Sequence, residues 1–82
     1  MTTPLDNYEK IFETPDFGLA TALTTLGFDL ETLDRQNPAK VVFIFQNSPE
    51  LQKTIKKYFS NQLKVNPQLL FASQKTLKTY LH

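Results

Sequence analysis

The chain contains no cysteine and no tryptophan, only two glycines, and a single histidine at its last position. Without cysteine, neither a disulfide nor a thiolate metal site can reinforce a domain of 82 residues. Its stability must come from packing, for which the sequence offers seven phenylalanines and three tyrosines. The lack of cysteine also fits a reducing compartment.

Residues that usually carry out catalysis or hold a cofactor are equally scarce. The one histidine, His82, lies at a chain end, where a base or a metal ligand is poorly held. Gly18 and Gly27 are too far apart to form a phosphate-binding loop. The acids at 29, 31 and 34 fall on both faces of a predicted strand instead of around one cation. We therefore expect no enzyme activity, no catalytic residue, no cofactor and no metal site.

Long apolar runs are missing as well. No stretch of about 18 apolar residues occurs, so we expect no membrane-spanning segment. The N-terminus lacks the basic and apolar regions of a secretory signal, which favours a cytoplasmic protein. With 40% apolar and 21% charged residues, the composition is typical of a globular chain, and no small-molecule substrate is evident from it.

Charge of one sign is nearly absent from each half of the chain. Residues 1–38 hold seven acids against Lys10 and Arg35, a formal charge of −5. Residues 39–82 hold seven lysines against Glu50 alone, a formal charge of +6. Such asymmetry indicates a charged partner, often nucleic acid or a membrane surface.

Apolar periodicity and turn residues predict one small α+β domain over residues 9–82, preceded by a flexible arm at residues 1–8. The predicted elements, in chain order, are a strand at 9–13, a helix from 14 that ends at Gly27, strands at 28–34 and 40–45, and helices at 48–62 and 66–80. Residues 35–38 are the predicted turn between the second and third strands. Residues 63–65 form an extended link that could be an edge strand.

Capping residues and prolines predict where the helices begin. Thr14 or Asp16 would cap the first helix, with Pro15 in its first turn. Ser48 and Asn66, each followed by a proline, would cap the second and third helices. Helical spacing predicts the core-facing residues, which are Leu19, Leu23, Leu26, Leu51, Ile55, Tyr58, Phe59, Gln62, Leu70, Leu77, Tyr80 and Leu81.

The third strand has no polar face over residues 41–45, which indicates a central position covered on both sides. A right-handed crossover makes the first two strands parallel, and the hairpin makes the third antiparallel to the second. Insertion of the third strand between the others then gives the sheet order 1-3-2. The first two helices would cover one face. The third would cover the other face, pack at one end, or leave that face to a partner.

The lysines of the second half are the main candidates for a binding surface. Three of them lie opposite the core-facing residues of the second helix. On the third helix, Phe71 falls in projection between Lys75 and Lys78. An aromatic ring among lysines is typical of proteins that bind single-stranded nucleic acid. The candidate nucleic-acid-binding residues are Lys53, Lys56, Lys57, Lys64, Phe71, Lys75 and Lys78.

Structural interpretations of the same residues stay open. Helix faces are normally charged, and Phe71 could pack against the sheet or a second subunit. The only arginine, Arg35, lies in the acidic half, although arginine suits bidentate phosphate recognition best. The third strand could also present Lys40, Phe43 and Phe45 as an RNA-recognition domain does. That motif's glycines are absent, so we favour buried core phenylalanines.

A further pattern extends along most of the chain. It comprises Phe12, Thr14 and Asp16 before an alanine-rich helix that ends at Gly27, then Val42-Phe43-Ile44-Phe45, Leu51, Tyr58, Val65-Asn66-Pro67, Phe71 and Leu77-Lys78. With these residues, the chain from Phe12 to Leu81 resembles an uncharacterised family of small bacterial proteins, known only as a domain of unknown function. The resemblance implies no activity, cofactor or catalytic residue, and it makes Phe71 a family feature.

Two functions follow from these patterns as hypotheses. The first is a small non-enzymatic accessory module that binds nucleic acid through the lysines of the last two helices. The alternative is a protein-interaction or self-associating module, in which the acidic half of one copy meets the basic half of another.

Overall fold

The computed structural model describes residues 10–37 and 39–81. Its elements follow the order β-α-β-β-α-α and are β1 (Ile11–Thr14), α1 (Phe17–Thr25), β2 (Leu30–Asn37), β3 (Lys40–Gln46), α2 (Pro49–Phe59) and α3 (Pro67–Tyr80). The α+β class and the element order predicted from the sequence are confirmed. The predicted arm at residues 1–8 and the terminal His82 lie outside the described residues.

The sheet has the order β1-β3-β2, with β3 antiparallel to both neighbours. The predicted order 1-3-2 and the central position of the third strand are therefore confirmed. Phe45 of β3 lies opposite Phe12 of β1 and Leu30 of β2, which aligns three apolar side chains across one face. Cross-strand alignment of this kind is the packing unit that stabilises a sheet.

The hairpin between β2 and β3 is longer than predicted. β2 continues to Asn37, which pairs with Lys40. The Asn37 side chain accepts a hydrogen bond from the N–H of Ala39 at 2.9 Å, a local contact typical of asparagine in turns. The prediction of a turn at 35–38 is wrong for residues 35–37, because pairing with β3 holds polar residues in an extended strand.

The start of α1 is determined by two side chains. Asp16 is the N-cap, and its Oδ1 accepts a hydrogen bond from the N–H of Leu19 at 3.1 Å. Thr14 accepts a hydrogen bond from the N–H of Asp16 at 3.0 Å. Pro15 therefore precedes the cap, and its predicted place in the first turn is wrong because the helix begins only at Phe17.

Gly27 ends α1 as predicted. Its φ of +98° lies in the left-handed region, which glycine adopts without steric cost. Its N–H donates to the carbonyl of Thr24 at 3.1 Å, and the N–H of Phe28 donates to the carbonyl of Leu23 at 3.0 Å. These two hydrogen bonds form a Schellman motif and turn the chain towards β2.

The other two helices also begin at the predicted caps. Ser48 accepts a hydrogen bond from the N–H of Leu51 at 3.0 Å, and Asn66 accepts from two N–H groups in the first turn of α3. α2 ends at Phe59, earlier than predicted, because Asn61 adopts a left-handed φ of +60°. Asparagine tolerates this conformation better than most residues with a side chain.

All three helices contribute to a single core on one face of the sheet. Its buried members are Leu19, Ala20, Leu23, Phe43, Phe45, Leu51, Ile55 and Leu77. Phe43 and Phe45 are 2% and 0% exposed, whereas Val42 and Ile44, which alternate with them, are only half-buried. The prediction that β3 is covered on both sides is therefore wrong, since all three helices pack on the same side.

α1 is the central helix of the helical layer. Residues 19–23 are consecutive and all buried, and a helix turns by about 100° per residue, so every side of α1 is covered. α2 and α3 both contact it. α3 joins the same core through Leu77, on the side of the sheet that α1 and α2 occupy. Of the three placements predicted for it, cover of the other face is wrong, and that face has no described helix over it.

Five residues predicted to face the core are exposed instead, namely Leu26, Phe59, Gln62, Tyr80 and Leu81. Each lies at or just beyond the end of a helix. Helical periodicity gives the direction of a side chain, but it does not show where the neighbouring element ends.

We use two names for the surfaces of this fold. The helical side is the surface of α2 and α3 that faces away from the core. The sheet side is the face of the sheet opposite the helices, where Val42 and Ile44 lie beside Glu13, Thr32 and Asp34.

Candidate nucleic-acid interface and the adjoining groove

All six candidate lysines are exposed, and they are distributed over α2, the segment after it, and α3. α2 buries Leu51 and Ile55, so its three lysines lie on the opposite face and point to solvent. On α3, the buried Leu77 likewise directs Lys75 outward. Both sets of lysines thus belong to the helical side.

Phe71 is 60% exposed on α3. It precedes Lys75 by four positions and Lys78 by seven, a spacing that aligns the three residues along one stripe of the helix. The interpretation that Phe71 packs against the sheet is wrong, because a ring in the core would lose most of its exposure. The stripe presents an aromatic ring to solvent, about one turn before Lys75 and two turns before Lys78.

A groove of about 530 Å³ opens between α1, the end of α2, the segment 60–66 and the first half of α3. Its apolar walls include Phe59, Leu63, Val65 and Leu70. Phe59 is 65% exposed, and its ring lies edge-to-face against Tyr58, with the centroids 5.2 Å apart and the planes at 86°. The groove therefore offers a solvent-facing aromatic ring of defined orientation.

Gly18 makes room for one end of the groove. A Cβ at this position would lie 2.7 Å from Oη of Tyr58 and 3.3 Å from Oδ1 of Asp16. The Tyr58 phenol therefore rests against the first turn of α1 because Gly18 has no side chain. The carboxylate that caps α1 lies at the same end of the groove.

The environment raises the pKa of Tyr58 above its ordinary value. Partial burial of the phenol is the larger cause, and the negative charge of Asp16 is the second. The hydroxyl is consequently neutral at physiological pH and can donate a hydrogen bond to a bound group.

Two amide side chains add polar groups to the groove, those of Asn61 and Gln74. Among residues 10–37 and 39–81, no intramolecular hydrogen bond engages either amide. Each offers both a donor and an acceptor to a ligand. The groove thus combines apolar walls with a few polar groups, as small-molecule sites usually do.

The turn after α2 sets the composition of the groove wall. Following the left-handed Asn61, the N–H of Gln62 donates to the carbonyl of Lys57 at 2.9 Å, which reverses the chain. Leu63 and Val65 then line the groove, and Lys64 between them is exposed. The only basic residue of this segment therefore lies between two lining residues and is open to solvent.

A second lysine lies close to the groove on α3. Lys78 follows Gln74 by four positions, so it lies one turn further along the same side of the helix. Two exposed lysines thus adjoin lining residues of the groove, Lys64 in the chain and Lys78 one helical turn beyond Gln74, while the Asp16 carboxylate lies near its Gly18 end.

The favoured prediction that Phe43 and Phe45 are buried in the core is confirmed, and two alternatives that the sequence left open are wrong. Phe43 and Phe45 are buried beneath the helices, so they cannot stack on a base as the aromatics of an RNA-recognition domain do. Residues 63–65 form no strand, because no strand of the sheet pairs with them.

The acids of β2 show no sign of a cation site. Among the residues that the structure describes, no three histidine, cysteine or acidic residues cluster as metal ligands would. In the same part of the chain, no helix has the length and apolar character needed to cross a bilayer.

Sequence reasoning did not identify the groove. Tyr58 packs against the core as the sequence predicts, but it also lines the groove, and the sequence predicts no role for Asn61 or Gln74. One signal was present, since Gly18 lies in the first turn of a predicted helix, where glycine is a poor helix former. A glycine at such a position often marks the close approach of another group.

Comparison with known proteins adds the family. A family model described as DUF5659, a domain of unknown function, matches residues 9–81. No curated protein and no solved structure matches the chain. The bacterial origin implied by the resemblance stays a prediction. Because the match covers nearly the whole chain, this protein belongs to the DUF5659 family, a domain of unknown function.

Proposed function

We propose that this protein is a small, non-enzymatic accessory module that binds nucleic acid through its helical side. The observation that carries the proposal is the exposed ring of Phe71, aligned on one stripe with Lys75 and Lys78. Lysines bind phosphates and exposed aromatic rings stack on bases, so this combination matches the chemistry of a nucleic-acid strand.

The charge distribution supports the same partner. From residue 49 to residue 81 the chain carries six lysines and one acid, Glu50, at the first turn of α2. A surface this unbalanced attracts a polyanion, and association releases the counterions condensed on it. Each lysine–phosphate contact adds about 0.7–0.9 to the slope of log affinity against log salt concentration.

The test is a titration of labelled single-stranded and double-stranded oligonucleotides with the full chain across a salt series. We expect binding at low salt that weakens steeply as salt is added. The absence of binding even at the lowest salt concentration would falsify the proposal, because phosphate contacts are strongest there.

A second candidate function is self-association or binding to another protein. It is favoured by the sheet side, where Ile11 is 38% exposed and Val42 and Ile44 are half-buried, with no described helix over them. Apolar residues at the centre of a surface with charged neighbours are typical of protein interfaces. Light scattering at two protein concentrations tests this candidate. A monomer mass at both concentrations that does not change with salt concentration would argue against self-association.

The cytoplasm is the location we propose together with this function. A chain without cysteine suits a reducing compartment, and nucleic acid is accessible there. Fractionation of cells that express the tagged protein tests this location. Recovery of the protein in a membrane or secreted fraction would contradict it.

A further inference from the structure

We infer that the groove between α1, the end of α2 and α3 receives one unpaired base of a single-stranded nucleic acid, stacked on Phe59, while Lys64 and Lys78 hold the flanking phosphates. The inference rests on the proposed function and makes it specific, because it predicts a preference for single strands. In a duplex the bases are paired and stacked inside, so the groove would stay empty.

The size of the groove is compatible with this ligand. Its volume of about 530 Å³ lies within the range of about 300–1,000 Å³ found for small-molecule sites. That space accommodates a base with its sugar. It is also open at the surface between helices, so a strand can continue on either side.

Phe59 supplies the stacking surface. Its ring is 65% exposed although it lines the groove, and its edge-to-face contact with Tyr58 fixes the orientation of the ring. A ring held in this way loses little conformational entropy when a base stacks on it. An exposed phenylalanine without such a contact would lose more conformational entropy when a base stacked on it.

Polar groups in the groove match the edge of a base. The amides of Asn61 and Gln74 each carry a donor and an acceptor, as the edges of bases do. The neutral hydroxyl of Tyr58 adds another donor. These groups favour a base over the apolar face of a peptide helix as the ligand. A peptide helix would cover the amides and the hydroxyl without forming hydrogen bonds to them, which costs free energy.

The charges define how the strand lies. The Asp16 carboxylate at the Gly18 end repels phosphates, whereas the exposed Lys64, between two lining residues, and Lys78, one turn beyond Gln74, attract them. The base would therefore enter with its sugar–phosphate backbone away from Asp16 and towards these lysines. Phe71 lies on the same side of α3 as Lys78 and is available to stack on a neighbouring base.

The test compares single-stranded and duplex oligonucleotides of the same sequence at low salt. Phe59→Ala removes the stacking ring, and Gln74→Trp fills the groove from an α3 position that is not in the core. We expect each variant to weaken single-strand binding between about 5-fold and about 100-fold, the range for loss of one stacked base. Duplex binding should change by no more than about twofold, since phosphate contacts persist.

The matched control is Leu69→Ala, which removes another exposed apolar side chain, 57% exposed, that does not line the groove. It should leave both affinities unchanged. Circular dichroism and thermal unfolding of each variant establish that the fold is retained. A second readout is crosslinking of an oligonucleotide containing 5-iodouracil, with the adduct located by mass spectrometry, and we expect it on Tyr58 or Phe59.

Each remaining outcome separates this inference from the proposed function. If both nucleic acids bind and the two groove variants leave the single-strand affinity intact, the groove holds no base, although the lysine surface binds phosphates. An adduct confined to Phe71 has the same meaning. If neither nucleic acid binds at low salt, while an acidic amphipathic peptide binds and loses affinity with Phe59→Ala, the groove takes a protein and both proposals are wrong.

Discussion

The helical side and the sheet side of this protein differ in both burial and charge. Within the single strand β3, Phe43 and Phe45 are buried under three helices, whereas Val42 and Ile44 on the other face stay half-exposed. All three described helices pack on one face of the sheet, so no described helix covers the other face. The difference teaches that an uninterrupted apolar strand in a small domain can have one face in the core and the other face at the surface.

The charges follow the same division. Acids of the first half occur on β1 and β2, such as Glu13 and Asp34, while six lysines lie on α2, on α3 and between them. The separation along the sequence thereby becomes a separation between two layers. Lys40 and Arg35 in the sheet, and Asp16 and Glu50 at the starts of two helices, are exceptions. Lys40 therefore provides an internal control for the lysines of the helical side.

The largest effect is expected from residues on the two faces of β3. Phe43→Ala should lower the free energy of unfolding by about 3–5 kcal/mol, because it leaves a cavity in the core. Ile44→Ala should cost only about 1–2 kcal/mol, since the side chain is half-exposed in the folded state. Urea denaturation measures both, with Phe43→Leu as the milder variant if Phe43→Ala does not fold. Equal losses at the two positions would show that something covers the sheet side.

The second prediction compares lysines on the two sides. Lys56→Gln together with Lys57→Gln should weaken nucleic-acid binding and reduce the salt slope by about 2, one for each lost phosphate contact. Lys40→Gln, on the sheet side, should leave affinity and slope unchanged. Fluorescence anisotropy across a salt series measures both quantities. A Lys40 variant as weak as the double variant would mean that binding is not confined to the helical side.

A smaller effect is expected for two acids, one at the start of α1 and one in β2. Asp16→Ala removes the N-cap of α1 and should lower the free energy of unfolding by about 1 kcal/mol. Asp34→Ala removes only the hydrogen bond that the exposed N–H of Gln36 donates to Asp34. It should lower the free energy of unfolding by only a few tenths of a kcal/mol. Asp16→Asn should retain most of the stability because asparagine also caps helices. Thermal unfolding that ranks Asp34 above Asp16 would contradict the assigned roles.

The smallest effect concerns the ionisation of Tyr58. Its pKa in the folded protein is raised by burial and then by Asp16, so the folded state holds this proton more tightly than the unfolded state. The stabilisation is fully present below about pH 10, the ordinary tyrosine pKa, and is lost as pH rises through the raised pKa. Ultraviolet titration should show a late ionisation that Tyr58→Phe removes.

Asp16→Asn sharpens the same measurement. It removes the negative charge beside the phenol, so the pKa of Tyr58 should fall, while burial still holds it above the ordinary value. If the late ionisation shifts back completely, Asp16 outweighs burial as the cause. If it does not move, the carboxylate and the phenol do not interact, and the acidic end of the groove is assigned wrongly.

Local signals predicted much of the fold. The capping residues Asp16, Ser48 and Asn66 and the C-terminal Gly27 marked helix ends correctly, because these contacts are made within four residues of chain. The order of the strands was also predicted correctly, although one of its premises, that β3 is covered on both faces, is wrong. The turn at residues 35–37 was misassigned, because only the ladder with β3 keeps those polar residues extended.

The candidate surface was predicted in part. Exposure of the lysines and of Phe71 follows from helical periodicity, and the structure shows it. The groove could not be predicted, because its walls come from α1, α2, α3 and a loop that are distant in sequence. Tyr58 packs against the core as predicted, and only its position beside Gly18 makes it part of the groove. Phe59 has the spacing of a core residue, but spacing from Leu51 and Ile55 does not show where the contact between α2 and α1 ends.

By itself, the sequence determined the helix boundaries at their caps, the central strand and the segregation of acids from lysines, since these depend on neighbours a few residues apart. Tertiary structure alone decided that all three helices cover one face of the sheet. It also decided that Gly18 leaves space for the phenol of Tyr58 and that an aromatic groove opens beside the lysines. Those features arise from the relative placement of packed elements, which depends on the shape of the whole core.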